Sequence, residues 1–221
     1  MFKFCYRKVS STLALKIFPV LAAFFFTGLI IFASGNNPIL VYASIIRGAT
    51  LSTSKLADIL VASIPLILVA CGVAITFTAG LWNIGVEGQI VMGAVACVFT
   101  LRSLDSTALP PGLILTLATL AGCLGGAIWA SFAAGLKHFS GVSEIFAGLG
   151  LNYIASAITI WLIFGPWKRP GVASMSGTVP FRNSLWLPTI PGLRISIIAL
   201  IVTSVVLLSV YLMMKKTMFG L

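Results

Sequence analysis

Long apolar runs alternate with short polar segments along the whole chain. Six of these runs could cross a membrane as α-helices, although the third is short. They cover residues 17–34, 59–80, 90–100, 112–136, 144–165 and 194–214. The pattern predicts an all-α polytopic membrane bundle of about six transmembrane helices, with a broken region between the second and the third.

The composition agrees with this fold class and excludes a water-soluble domain. Hydrophobic residues make up 59% of the chain, charged residues only 8%, and the mean hydropathy is +1.13. We expect one transmembrane domain over residues 1–221, with membrane lipid around it. The net charge is +10, but the basic residues lie at the ends of the runs rather than in one patch, so nucleic acid is not an expected partner.

The basic residues also predict the orientation of the chain. Residues 1–16 carry four basic residues and no acid, and Lys215 and Lys216 close the last run. A cleaved signal peptide is the alternative, but its apolar core is usually shorter than residues 17–34, so we expect an uncleaved first helix. Because positive charge favours the cytoplasmic side, we expect the protein in the inner plasma membrane with its N-terminus in the cytoplasm. Residues 39–58 are too polar to span and are expected to lie along the outer surface as short helical pieces.

Polar residues and glycines interrupt the apolar sequence between the second and third runs. The polar residues are Asn83, Glu87 and Gln89, and the glycines that would free the backbone are Gly80, Gly85 and Gly88. One interpretation is a broken membrane helix that presents polar groups to a pathway, since such groups are costly against lipid. The other is a tight cytoplasmic turn with Asn83 as a helix cap and Glu87 in the first turn.

Small residues recur every fourth position in the fourth run. They are Ala118, Gly122, Gly126, Ala130 and Ala134. Such a ladder allows a second helix backbone to approach closely, and we therefore expect a packing seam without chemistry of its own.

The fifth run opens with a possible functional pair of polar residues. Glu144 follows a short polar segment that starts at Lys137, and Asn152 lies about two turns further on, on a similar face. Ser143 or Glu144 could also simply cap the helix, and Asn152 could simply bond a neighbouring helix.

No residue pattern in the chain predicts catalysis, a metal site or a cofactor. The four cysteines form no CxxC pair, and His138 at the end of a run is best read as a helix-terminal cation. The sequence contains no P-loop, GxSxG or HExxH motif, so ATP hydrolysis would need a separate subunit.

Two separated motifs resemble the permeases of ABC importers for simple sugars and nucleosides. Residues 79–89, AGLWNIGVEGQ, resemble the family signature GLFNIGVEGQ. Residues 136–155 contain LK, GVSEI and LNYIA in the order and spacing of the family's LK, GVNEVI and LNYIA segments. The similarity extends from about residue 58 to the end of the sequence.

The resemblance implies partners and candidate site residues. It implies a second permease subunit, a cytoplasmic ATPase with two nucleotide domains, and an extracytoplasmic binding protein or lipoprotein. Asn83, Glu87, Gln89 and Asn152 would then line the substrate pathway. Possible ATPase contacts are Lys137, Glu144, Thr217 and Gly220, the last two belonging to a T-x-x-G pattern that begins the family's coupling loop.

Three functions stay open at this point. The leading one is uptake of nucleosides or simple sugars, because Asn, Gln and Glu offer donors and acceptors to neutral polyhydroxylated solutes. An ion-coupled secondary transporter would instead use Glu87 or Glu144 to bind a proton or cation. A truncated, inactive remnant is the third, and we expect the chain to be incomplete at its C-terminus and not competent for transport alone.

Overall fold

The computed structural model describes residues 2–171 and 177–216, with side chains from residue 17 onward. Within these residues the chain forms seven α-helices and one short 3-10 helix, and no strand longer than an isolated bridge. The α-helices are α1 (Phe2–Ala33), α2 (Pro38–Thr50), α3 (Thr53–Thr78), α4 (Val86–Leu104), α5 (Pro111–Ser140), α6 (Glu144–Phe164) and α7 (Ile197–Lys216). The all-α prediction is confirmed.

Five described helices are long and apolar enough to cross a membrane by themselves, from α3 to α7. A sixth span is added if α1 and α2 count as one broken span, because they meet at an angle of 114°. The prediction of about six spans is therefore confirmed. Apolar side chains that face lipid do not need to be buried inside the protein. This explains why large side chains such as Phe25, Leu66 and Ile201 are exposed in the isolated chain.

The chain divides into two compact units, one ending at Leu60 and the other beginning at Val61. In the first unit, Asn37 caps α2 by accepting hydrogen bonds from the N–H groups of Ile39 and Leu40, and Pro38 occupies the first turn. Tyr42 of α2 donates to the carbonyl of Phe24 in α1 at 2.6 Å, which fixes the bend between these helices.

The second unit is organised around α4, α5 and α6. Its innermost cluster combines Trp129 of α5 with Leu151 and Ala155 of α6, all of which are buried. Ile114 and Ala118 of α5 are almost completely inaccessible as well. Ala118 and Ala155 are small, and small residues at such contacts let helices pack closely. This is typical of membrane proteins, because in lipid the hydrophobic effect does not drive one helix against another.

Several helix boundaries differ from the sequence-based expectation. α3 begins at Thr53 rather than at residue 59, so that Lys55 and Asp58 lie in a helix and not in a surface segment. α5 continues through Ser140, which places Lys137 in its last turn rather than in a loop. The stop signal is Gly141, whose φ of 66° is the left-handed C-cap conformation that glycine adopts easily. Basic side chains are well placed in a last turn, and Lys137 and His138 both lie inside the helix.

Candidate functional site: the turn between α3 and α4

The polar stretch found in the sequence forms a turn between two complete spans. α3 ends at Thr78, and Gly80 follows with a φ of 74°. α4 begins at Val86, and its N-cap is Gly85, without a side-chain hydrogen bond at that cap. The expectation that Asn83 caps α4 is therefore wrong, because its side chain is engaged elsewhere. Glu87 does lie in the first turn of α4, where a carboxylate suits the helix dipole.

Asn83 and Gln89 bond to each other through both groups of their side-chain amides. Asn83 Nδ2 donates to Gln89 Oε1 at 3.2 Å, and Gln89 Nε2 donates to Asn83 Oδ1 at 3.0 Å. The two residues are half-buried. We call this reciprocal contact the Asn83–Gln89 pair.

Asn152 of α6 holds the turn from the opposite side. Its Oδ1 accepts a hydrogen bond from the N–H of Gly88 at 2.8 Å, and its Nδ2 donates to the carbonyl of Ile84 at 3.1 Å. Gly88 is the third residue of α4, so its N–H has no partner within the helix. Asn152 thus supplies from another helix the acceptor that an N-cap side chain normally provides.

Glycine is required where the turn meets α6. A Cβ on Gly148 would lie 2.7 Å from the nitrogen of Gly85, and one on Gly88 would lie 2.8 Å from Asn152 Oδ1 and 2.9 Å from Trp129 Nε1. Backbone therefore packs on backbone at Gly85 and Gly148. Trp129 Nε1 is buried, and no described group accepts a hydrogen bond from it.

A third attachment joins the turn to the ends of α5 and α6. Glu144 Oε1 accepts a hydrogen bond from the N–H of Trp82 at 2.8 Å. The other carboxylate oxygen forms an ion pair with Lys137. Ser143 is the N-cap of α6 but makes no side-chain hydrogen bond there. Glu144 instead fixes a backbone 62 residues earlier in the chain.

Two cavities open beside the turn, between α3, α4 and α5. One holds about 210 Å³ and extends toward Lys137, Glu144 and Gly148. The other holds about 470 Å³ and extends along Gly122 and Gly126. Their walls share four residues, Thr76, Asn83, Gln89 and Ala130. We call the two cavities together the α5 groove.

The small-residue ladder of α5 has two roles in this arrangement. A Cβ on Gly122 would lie 3.2 Å from the carbonyl oxygen of Gly93, and one on Gly126 would lie 3.1 Å from that of Gln89, so α4 packs directly on the ladder. The same residues, with Ala130, form one wall of the α5 groove. The sequence suggested only the packing role, because periodicity does not reveal that a helix face borders a cavity.

The four expected pathway residues lie in three different surroundings. Asn83 and Gln89 line the α5 groove, whereas Asn152 uses its amide to hold the backbone of the turn. Glu87 is exposed on another side of α4. Of the expected ATPase contacts, Lys137 and Glu144 pair with each other, while Thr217 and Gly220 lie outside the described residues.

A cluster that the sequence analysis missed lies at the opposite end of α4. The guanidinium of Arg102 lies 5.3 Å from the ring centres of both Trp167 and Phe181, and its Nη2 donates to the carbonyl of Val179 at 3.3 Å. Arg182 pairs with Asp105 at 3.1 Å. These contacts fasten the segment after α6 to the end of α4. Aromatic residues near basic ones were the only available signal, because partners 65 to 80 positions apart leave no local pattern.

The apolar helices indicate a multi-pass membrane protein. Residues 55–221 match a protein family described as "Branched-chain amino acid transport system / permease component". The chain belongs to this permease family, since the match covers about three quarters of it.

Similar proteins of known function are permeases. The glucose ABC transporter permease protein TsgB13 of Haloferax volcanii is 31% identical over 92% of this chain and 55% of its own length. The nucleoside ABC transporter permease protein NupB of Lactococcus lactis is 26% identical over 90% of this chain and 57% of its own. The guanosine ABC transporter permease protein NupP of Bacillus subtilis is 35% identical over 45% of this chain and 28% of its own.

The chain spans about half the length of the curated relatives that it matches most extensively. No solved structure gives a significant match to it. The family assignment therefore rests on the sequence matches.

Proposed function

We propose that this chain is a permease subunit of an ATP-binding-cassette importer that takes up nucleosides or simple sugars. The observation that carries the proposal is the Asn83–Gln89 pair on the wall of the α5 groove, in a chain that belongs to a permease family. A solute that passes along the groove would meet these two amides at the point that both cavities share.

The chemistry of the groove favours a neutral, polar solute. Primary amides offer donors and acceptors without charge, which suits hydroxyl groups and nucleobase edges. The two ionisable residues at one end, Lys137 and Glu144, neutralise each other in an ion pair. The larger cavity, at about 470 Å³, falls within the range of about 300–1,000 Å³ that is usual for small-molecule sites.

The proposal includes a specific set of partners and an orientation. The chain would act as one permease domain with a second permease subunit, in the inner membrane with its N-terminus in the cytoplasm. A separate ATPase with two nucleotide domains would hydrolyse ATP, and an extracytoplasmic binding protein or lipoprotein would deliver the solute. Lys137, Glu144, Thr217 and Gly220 would face the ATPase.

Uptake measurements test the proposed function. The chain is produced together with candidate ATPase, second-permease and binding-protein subunits, and uptake of labelled adenosine, D-ribose and D-glucose is followed. We expect ATP-dependent accumulation of at least one of these solutes, and none when the ATPase carries an inactivating substitution. Accumulation that continues when the ATPase is inactive, but stops when an uncoupler collapses the ion gradients, would instead indicate a secondary transporter.

A further inference from the structure

The Asn83–Gln89 pair closes on itself at the point where the two cavities of the α5 groove meet. Each amide gives its donor and its acceptor to the other, at 3.2 Å and 3.0 Å. Both residues line both cavities, as do Thr76 and Ala130. A solute that moves from one cavity to the other therefore passes a closed pair of hydrogen bonds.

We propose that the Asn83–Gln89 pair is a selectivity gate that a solute with neighbouring hydroxyl groups opens by replacing both hydrogen bonds. This inference rests on the proposed function, and it goes further by naming the chemical feature that the permease itself selects. That feature is a vicinal diol, whose two hydroxyl groups on neighbouring carbons offer donors and acceptors side by side, as the NH2 and C=O groups of the facing amide do.

The surroundings of the two residues make one half of the gate fixed and the other half mobile. Asn83 lies in a turn whose backbone is held by Asn152 through Ile84 and Gly88, and by Glu144 through Trp82. Gln89 lies in the first turns of α4, and its longer side chain has three rotatable bonds. Opening therefore requires a rotation of the Gln89 side chain and leaves the packed glycines of the turn in place.

The selectivity follows from the cost of opening. Separating the pair in a half-buried, mostly apolar groove leaves two donors and two acceptors unpaired. A diol restores these hydrogen bonds, whereas the matching deoxy solute does not. Sites built to bond a substrate hydroxyl reject the analogue that lacks it much more strongly than apolar pockets reject a missing methylene.

The pair could instead only stabilise the fold of the turn. A ratio of two uptake rates distinguishes this structural role from the gate. The ratio is uptake of a diol solute divided by uptake of its dideoxy analogue, measured for adenosine against 2′,3′-dideoxyadenosine and for D-ribose against 2,3-dideoxy-D-ribose. Because both solutes use the same transporter molecules, the ratio does not depend on how much folded protein a variant yields. Selection by the binding protein contributes equally in every variant and cancels.

The test compares the wild type with two variants of similar side-chain size, Asn83→Leu and Gln89→Met, in the complete transporter. We expect the wild type to prefer the diol and each variant to lose roughly tenfold of this preference, with uptake of the dideoxy analogue retained. The matched control is Asn183→Leu, which removes an exposed amide far along the chain in the 3-10 helix Asn183–Leu185 and should keep the wild-type ratio.

Two results would overturn the gate alone. One is an unchanged ratio in both variants, whether uptake of the two solutes is kept or falls equally, since this would show that the pair supports the structure without selecting. The other is equal wild-type uptake of the diol and dideoxy solutes. A wild-type transporter that takes up neither diol would overturn the proposed function, and the gate with it.

Discussion

Asn152 on α6 accepts a hydrogen bond at 2.8 Å from the backbone N–H of Gly88, 64 residues earlier in the chain. The same side chain donates to the carbonyl of Ile84, so that one amide holds both sides of the start of α4. A helix start in apolar surroundings leaves N–H groups that water cannot reach, and satisfying them from a neighbouring helix is a large gain. The turn between α3 and α4 is therefore a rigid part of the bundle.

Replacing Asn152 with leucine should destabilise the protein. The substitution keeps the size of the side chain but leaves the N–H of Gly88 and the carbonyl of Ile84 without partners, at a cost of about 1–3 kcal/mol for each buried group. The midpoint of thermal unfolding in detergent should fall clearly. The control is Thr159→Val on the same helix, which loses only a hydroxyl bonded to the carbonyl of Ala155 and should change the midpoint little. Equal midpoints for both variants would contradict the role given to Asn152.

Two glycines of α6 allow a matched test of the backbone contact with the turn. Gly148→Ala would place a Cβ 2.7 Å from the nitrogen of Gly85, whereas a Cβ on Gly150 meets no atom within 4 Å. We expect Gly148→Ala to lower the unfolding midpoint. Gly150→Ala should keep it or raise it slightly, because alanine favours the helix by about 1 kcal/mol over glycine. The reverse order would show that α6 does not pack against Gly85 in the folded protein.

Bulky substitutions in the ladder of α5 should separate it from α4. Gly122→Leu would push on the carbonyl of Gly93, and Gly126→Leu would push on that of Gln89. Both variants should assemble poorly, measured as the yield of monodisperse protein after gel filtration. Gly135→Leu is the control, since a Cβ there meets only the edge of Phe139 at 4.0 Å. If all three variants gave the wild-type yield, the close approach of α4 and α5 would be incorrect.

Arg102→Lys should loosen the segment after α6. Lysine keeps the charge but cannot lie flat between the rings of Trp167 and Phe181 as a guanidinium does. We expect faster cleavage by chymotrypsin next to Phe181 and Trp186 than in the wild type. Arg169→Lys, at an exposed position of the same segment, should leave the cleavage rate unchanged. Identical rates for both variants would mean that Arg102 does not fasten this segment.

The sequence was sufficient to predict most of the spans and the position of the polar stretch, because both are local patterns. Long apolar runs report spans directly, and an Asn, a Glu and a Gln stand out against them. Boundaries were less predictable at the ends of the spans. Lys137 lies inside α5 because Gly141, rather than the first charged residue, ends the helix.

The division of labour among the polar residues could not be predicted. Asn83, Asn152 and Gln89 are similar amides in similar apolar surroundings, and only the packing of α4 against α6 shows that Asn152 serves the backbone. The pairing of Asn83 with Gln89 likewise depends on the conformation of a seven-residue turn, which glycines leave open in the sequence. Tertiary contacts thus decide which candidate reaches the groove.

Thiol labelling of Ala130 tests most directly the central claim that solute passes along the α5 groove. The native cysteines are replaced by alanine, Ala130→Cys or Leu124→Cys is introduced, and the complete transporter is treated with a water-soluble methanethiosulfonate, which reacts with a thiolate. Ala130 lines both cavities, whereas Leu124 is exposed and lines neither of them. We expect labelling of Ala130→Cys to stop adenosine or ribose uptake, transported solute to slow this labelling, and the Leu124→Cys transporter to keep its uptake. An Ala130→Cys thiol that does not react, or full uptake after its complete labelling, would contradict the account.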